Sequence, residues 1–120
     1  MDVTLDELRK RLGEEGLAVV DVRSKLEYDG VAQAACDPRH GHIKGARNVP
    51  LETLLECAST EQVLALIGVP PGTEVIAYCH SGSRSAFAVQ VLRGAGYEAR
   101  NYVGSWHEWS RDDSLPAELG

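Results

Sequence analysis

The chain lacks several features that would have fixed its class at once. Its three cysteines, Cys36, Cys57 and Cys79, cannot all pair within one chain. That excludes a closed disulfide framework and fits a reducing compartment. No apolar stretch is long enough to cross a bilayer, so no membrane partner is expected. The opening residues Met1-Asp2-Val3-Thr4-Leu5-Asp6 carry neither the basic nor the apolar region of an export signal. A cytoplasmic location is the expectation. Positive charge is in deficit, 12 Lys and Arg against 18 Asp and Glu for a net charge of −6. This argues against non-specific nucleic-acid binding. Any anion site must therefore be local, built from backbone dipoles and one or two arginines. There is no internal repeat, low-complexity tract or linker.

What is present reads as one α/β domain over residues 1–120. The apolar content of 43 % is ordinary for a globular chain, so a core can close without disulfides or metal. Thr4 and Glu7 form a capping box for a first helix, with Val3 and Leu8 as its staple. Leu17 to Val22 is an apolar run broken only by Asp21, which suits a strand buried on both faces of a parallel sheet. Ser24 and Glu27 make a second capping box. Residues 29–45 have no clear period and read as a long loop, a length that points to function or insertion. Ala46 to Val49 is a short strand closed by Pro50. Leu51 to Cys57 is one or two helical turns, and Ser59 with Gln62 caps a helix that Gly68 stops. Val75 to Tyr78 and Ala99 to Val103 are further strands. Ser105 and Glu108 form a last capping box, and residues 111–120 read as a polar, frayed tail. Alternating strands and helices predict a three-layer α/β/α architecture around a mainly parallel sheet.

Cys79 falls where a strand ends and a helix begins. The residues that follow it, His80, Ser81, Gly82, Ser83, Arg84 and Ser85, are small, flexible or basic. Ligands of open α/β sheets bind beyond the carboxyl ends of the strands, where Asp21 also lies. Gly82 permits backbone angles that other residues resist, so successive N–H groups can turn inward around the sulfur. Those donors, a helix N-terminus, Arg84 and the three serine hydroxyls would all favour a thiolate or a bound anion. The design requires a thiol that is both acidified and open to solvent. It suits two reactions: transfer of a sulfane sulfur through a cysteine persulfide, and phosphoryl transfer through a cysteinyl phosphate.

Four segments, in order, resemble the rhodanese-homology domain of the sulfurtransferase family. Asp21-Val22-Arg23 with Glu27-Tyr28 resembles its DVR…EY segment. Gly41 to Pro50 resembles GHIxGAxNxP, Cys79 to Ser85 resembles the active loop CxxGxRS, and Gly104 to Trp109 resembles GSWxEW. The resemblance implies a five-stranded, mainly parallel sheet. It implies that Cys79 carries the persulfide and that amides from His80 to Ser85 cradle the outer sulfur. Related cell-cycle phosphatases have CxxxxxR, whereas four residues separate Cys79 from Arg84 here. In that comparison the shorter loop is sized for sulfur, which ranks a sulfurtransferase above a phosphatase or arsenate reductase. A carrier that accepts persulfide sulfur from a partner protein is the third reading. The partners implied are a thiosulfate, persulfide or polysulfide donor and a cyanide or thiol acceptor. Glu27 departs from the pattern, standing where tandem relatives tend to carry a substrate-binding arginine.

Asp21, Arg23, Glu27, His42 and Trp106 are the supporting candidates. Asp21 is expected to fix the loop through Arg84 or loop amides, and Arg23 to pair with Glu27. His42 is expected to make structural hydrogen bonds, and Trp106 to pack. No cofactor is expected. Cys36, His40 and His42 match no zinc spacing and lack a fourth ligand, so no metal is expected either.

Overall fold

The computed structural model describes residues 2–32 and 34–120; Met1 and Gln33, which fall in the expected N-terminus and long loop, lie outside the described residues. The elements run β1 (Asp2–Val3), α1 (Leu5–Arg11), β2 (Leu17–Asp21), α2 (Lys25–Tyr28), β3 (His42–Ile43) and β4 (Arg47–Asn48). They continue through α3 (Leu51–Leu55), α4 (Thr60–Ile67), β5 (Glu74–Tyr78), α5 (Ser83–Gly94), β6 (Glu98–Tyr102), α6 (Ser105–Trp109) and β7 (Ala117–Glu118). Five strands form one sheet in the order β1-β6-β5-β2-β4, and every pairing in it is parallel.

Alternation along the central strands divides the core in two. Ala18, Val20, Val75, Ala77 and Ala99 face α3, α4 and α5, packing with Leu54, Val63, Ile67, Ala88, Val89 and Leu92. Val19, Ile76, Tyr78 and Tyr102 face the other way, against Leu8 of α1 and Trp106 and Trp109 of α6. Cys79 belongs to the first layer. Asp21, in register with Tyr78, points to the second by the same alternation. The two residues share an end of the sheet but not a face.

Helix starts follow the capping chemistry only in part. Ser24 and Glu27 make the full reciprocal box. The Thr4 hydroxyl accepts from the Glu7 amide, but the Glu7 carboxylate turns away to accept from Arg100 and Arg11. Gly68 ends α4 in the left-handed conformation at φ 80°, the usual use of glycine there. At α6 the expected box is absent. Gly104 is the N-cap without a side-chain bond, the Ser105 hydroxyl points back into the sheet, and Glu108 accepts from the Tyr102 hydroxyl.

The tail expected to fray does not. Leu115 is 2 % exposed, and β7 pairs antiparallel with β3. Trp109 Nε1 donates to the Pro116 carbonyl at 3.0 Å, and Arg39 donates to the carbonyls of Trp109, Ser110, Asp112 and Leu115. One buried leucine, the β3–β7 pairing and the Arg39 bonds together anchor an otherwise polar segment. Leu115→Ala is expected to lower unfolding free energy by roughly 2–5 kcal/mol, as for other buried leucines; urea unfolding measures this, and a loss near zero would mean that the tail is loose in solution.

Candidate active site

The β5 strand delivers Cys79 to the carboxyl edge of the sheet, where the chain must turn sharply to start α5. Gly82 makes that turn at φ 96°. A Cβ there would lie 2.7 Å from the Val103 carbonyl oxygen, so both conformation and space require glycine. The turn brings donors onto the sulfur. The Gly82 amide lies 3.0 Å and the Ser85 amide 3.4 Å from Cys79 Sγ. The Ser85 hydroxyl is 3.3 Å away. Burial pushes the thiol upward in pKa, but the Ser85 hydroxyl with the amides of Ser85, Gly82 and Ser81 outweighs it. The net direction is down.

The thiol is acidified as the sequence requires, but the expected access to solvent is not met. Cys79 is 1 % exposed, because the donors that favour the thiolate close over it. Ser85 is fully buried beside it, while the Ser81 and Ser83 side chains are exposed on the outside of the turn. Of the three serine hydroxyls, Ser85 is the one against the sulfur.

Neighbouring strands and α6 hold the turn from beneath. The buried Ser105 hydroxyl accepts from the Cys79 amide at 3.1 Å and donates to the Tyr102 carbonyl at 2.8 Å. To do so Ser105 takes φ 56°, the one positive value at a non-glycine among the described residues, a conformation costing about 1–3 kcal/mol. Asn101 Nδ2 donates to the Gly82 carbonyl at 3.1 Å. The amides of Trp106 and His107 donate to the carbonyls of Cys79 and His80, each at 2.9 Å. Sequence reasoning missed Ser105 and Asn101 as parts of the site. Asn101 did leave a signal, a buried amide on the same strand face as Ala99. Ser105 left none beyond its place in the GSW segment.

The supporting charges pair differently from the expectation. Asp21 binds Arg23, with contacts of 2.7–3.1 Å, and does not reach Arg84. Both are buried. Arg23 also donates to the Gly41 carbonyl at 2.6 Å and lies over the Trp106 ring. The pair therefore ties the end of β2 to the GHI segment and the second core layer. Glu27 takes Arg84 instead of Arg23, at 2.9 and 3.1 Å. Burial alone would raise the Glu27 carboxyl, but the Arg84 guanidinium and the Ser24 amide hold it at about 2. His42 stacks on Tyr28 and contacts its carbonyl oxygen through Nδ1 at 2.8 Å. Trp106 is buried, its Nε1 donating to the Arg39 carbonyl. His80 Nε2 sits 2.9 Å from Asp37. A recess of about 560 Å³ between Arg9, Leu12, Leu17, Lys44 and Arg47 lies toward the other end of β2 and includes no residue of the Cys79–Ser85 turn.

This geometry has close relatives. Residues 4–112 match the family described as Rhodanese-like domain, and the chain belongs to that family. It is 36 % identical, over 97 % of its length and 45 % of the relative's, to "Thiosulfate sulfurtransferase" of Pseudomonas aeruginosa. It is 34 % identical to "Sulfur carrier protein TtuD" of Thermus thermophilus, over 86 % of this chain and 41 % of that one. A crystal structure titled as a probable thiosulfate sulfurtransferase superposes with TM-score 0.82 at 46 % identity, covering 98 % of this chain and 47 % of that one. The chain thus spans about half the length of the curated relatives it matches.

Two outcomes follow from the site's electrostatics. Ser85→Ala removes a donor from the sulfur and should raise the Cys79 pKa, read from thiolate absorbance against pH; an unchanged midpoint would show that the hydroxyl contributes nothing. Glu27 titrates at about 2 in the folded chain against an ordinary 4.5. Its stabilisation is complete above that ordinary value and is lost as pH falls through about 2. Glu27→Gln should flatten the acid limb of stability across this window, as followed by urea midpoints at stepped pH.

Proposed function

We propose that the chain is a sulfurtransferase working through a Cys79 persulfide. The observation that carries this is the convergence of two amides and the Ser85 hydroxyl on one sulfur. The names of its relatives agree with it. In the first half-reaction the Cys79 thiolate attacks the outer sulfur of thiosulfate or a related persulfide or polysulfide. A Cys79 S–S bond forms, the donor's S–S bond breaks, and its electron pair leaves with sulfite or a thiolate. In the second, cyanide or a thiol attacks that outer sulfur and Cys79 regains its electron pair. This is covalent catalysis in two steps, with thiol exchange rules governing each.

The loop donors play the part of an oxyanion hole for sulfur, stabilising the thiolate, the persulfide and the departing charge. The amides of His80 to Ser85 are the proposed cradle. Arg84 supplies positive charge beside it, partly neutralised by Glu27, and serves chiefly to brace the turn. Asp21, Arg23, His42 and Trp106 act as scaffold. With Cys79 1 % exposed, the rim must part before a donor enters. The loop length, four residues between Cys79 and Arg84, favours sulfur over phosphate in the comparison with the longer phosphatase loop.

The sulfur-carrier relative supports a second use of the same persulfide, delivery to or from a partner protein. Three free thiols support a reducing, cytoplasmic setting. Among the described residues no helix is long and apolar enough to cross a membrane.

Incubation with thiosulfate or polysulfide followed by intact mass measurement tests the reading. One sulfur atom should add, be lost to cyanide, and be absent in Cys79→Ser. Loading that persists in Cys79→Ser would remove the assignment; loading only from a partner desulfurase would favour the carrier; aryl phosphate hydrolysis without sulfur loading would favour a phosphatase.

A further inference from the structure

In the sequence Cys36, His40 and His42 form no metal-binding pattern. The fold sends both histidines elsewhere. His40 Nδ1 contacts the Gly30 carbonyl, and His42 is engaged with Tyr28. Three other residues arrive beside Cys36: its neighbour Asp37, His80 of the active loop, and His107 of α6. One ligand atom from each of the four lies within 4.8 Å of the others.

We propose that Cys36, Asp37, His80 and His107 form a binding site for a divalent transition metal of the zinc type. His80 Nε2 is 2.9 Å from Asp37 Oδ2, and His107 Nδ1 is 3.5 Å from Asp37 Oδ1. Cys36 Sγ is 3.8 Å from that oxygen and 4.0 Å from His107 Nδ1. A tetrahedral zinc ion, with bonds of about 2.0–2.1 Å to nitrogen and oxygen and about 2.3 Å to sulfur, sets its ligand atoms roughly 3.3–3.6 Å apart. The four groups reach that figure by side-chain adjustments of about an ångström.

The backbone around them is already fixed. The His107 amide donates to the His80 carbonyl, so α6 and the active loop move together. Arg111 donates to the carbonyls of Cys36 and His107, each at 2.7 Å, and Arg39 ties the loop to the end of α6. Arg111 also stands 3.5 Å from Asp37 Oδ1. Its two carbonyl bonds do not depend on that contact and can survive a bound ion.

Ligand type and charge select the ion. A thiolate and two imidazoles with a single carboxylate suit zinc-like metals and not Ca²⁺ or Mg²⁺, which need several oxygen ligands. On binding, Cys36 releases its thiol proton and both imidazoles ligate neutral. Thiolate and carboxylate then balance the dication. Asp37 is buried, while Cys36 is exposed and the His107 side chain is 45 % exposed, which leaves a way in from solvent. This site is independent of the sulfur-transfer reading, although His80 places it one residue from Cys79.

Cobalt(II) titration of the full chain, reduced with a non-thiol reagent under anaerobic conditions, tests it. One equivalent should give the intense visible bands of four-coordinate cobalt and a thiolate-to-metal charge-transfer band, both abolished by one equivalent of Zn²⁺. Cys36→Ser should remove the charge-transfer band and His107→Ala should weaken Zn²⁺ by about tenfold or more, with circular dichroism confirming that each variant folds. Cys79→Ser should leave the spectrum intact. Six-coordinate cobalt alone, or a charge-transfer band that survives Cys36→Ser, would overturn the site, and neither result depends on sulfur transfer.

Discussion

A sulfur atom held between inward-facing amides is the constraint around which this end of the molecule is organised. The β5 strand supplies the sulfur, and α5 supplies the donors. Between them the chain has only the turn at Gly82 in which to reverse its N–H groups. Burial opposes ionisation of the thiol, and the hydrogen bonds favour it. The bonds win: the Ser85 hydroxyl contributes most, and with it come amides whose backbone the fold already fixes, so little ordering remains to be done when charge develops.

That turn cannot hold itself. Its amides aim at the sulfur, so its carbonyls must be satisfied from elsewhere. The amides of Trp106 and His107 take the carbonyls of Cys79 and His80, and Asn101 takes that of Gly82. Ser105 accepts the Cys79 amide while sitting in a strained conformation. Strain at a buried residue persists only where its surroundings over-determine it. Here the start of α6 is pinned on one side by the loop and on the other by a tryptophan pair in the core. The Asp21–Arg23 pair does the corresponding work under the GHI segment. Removing one member of such a buried pair costs about 3–5 kcal/mol.

Local chemistry in the sequence was enough to place Cys79, Gly82 and Ser85, because strand end, turn and helix start are adjacent in the chain. It was also enough for the parallel sheet, whose strands β2 and β5 read as apolar runs with one acid each. It failed where a residue's face mattered. Asp21 is expected to fix the loop through Arg84 or loop amides because it lies at the carboxyl edge, yet period-two alternation turns it toward the opposite layer, and Glu27 reaches Arg84 from α2. It failed again where a polar segment is held by contacts distant in the chain, as at Leu115 and β7. Ser105 and Glu108 have the spacing of a capping box, but tertiary bonds to Cys79 and Tyr102 outcompete it. The meeting of Cys36 with His107 spans 71 positions, and no local pattern encodes it.

Closure over the sulfur and access to it are reconciled by where each tie lies. The contacts beneath the turn, from Ser105 and Asn101, are buried and hydrogen-bonded on the sheet side. Those at its rim, His80 to Asp37 and Arg84 to Glu27, each involve a partly exposed side chain, and the Arg84–Glu27 ion pair is weakened by water and salt. Loosening the rim therefore costs less than disturbing the floor. In the proposed reaction a donor is admitted while the amides that stabilise the thiolate keep their aim. The same division explains why an acid at Glu27 is compatible with anionic sulfur chemistry. Its charge is paired with Arg84 at the rim, and the field at the sulfur comes from neutral dipoles, the Ser85 hydroxyl and the loop amides.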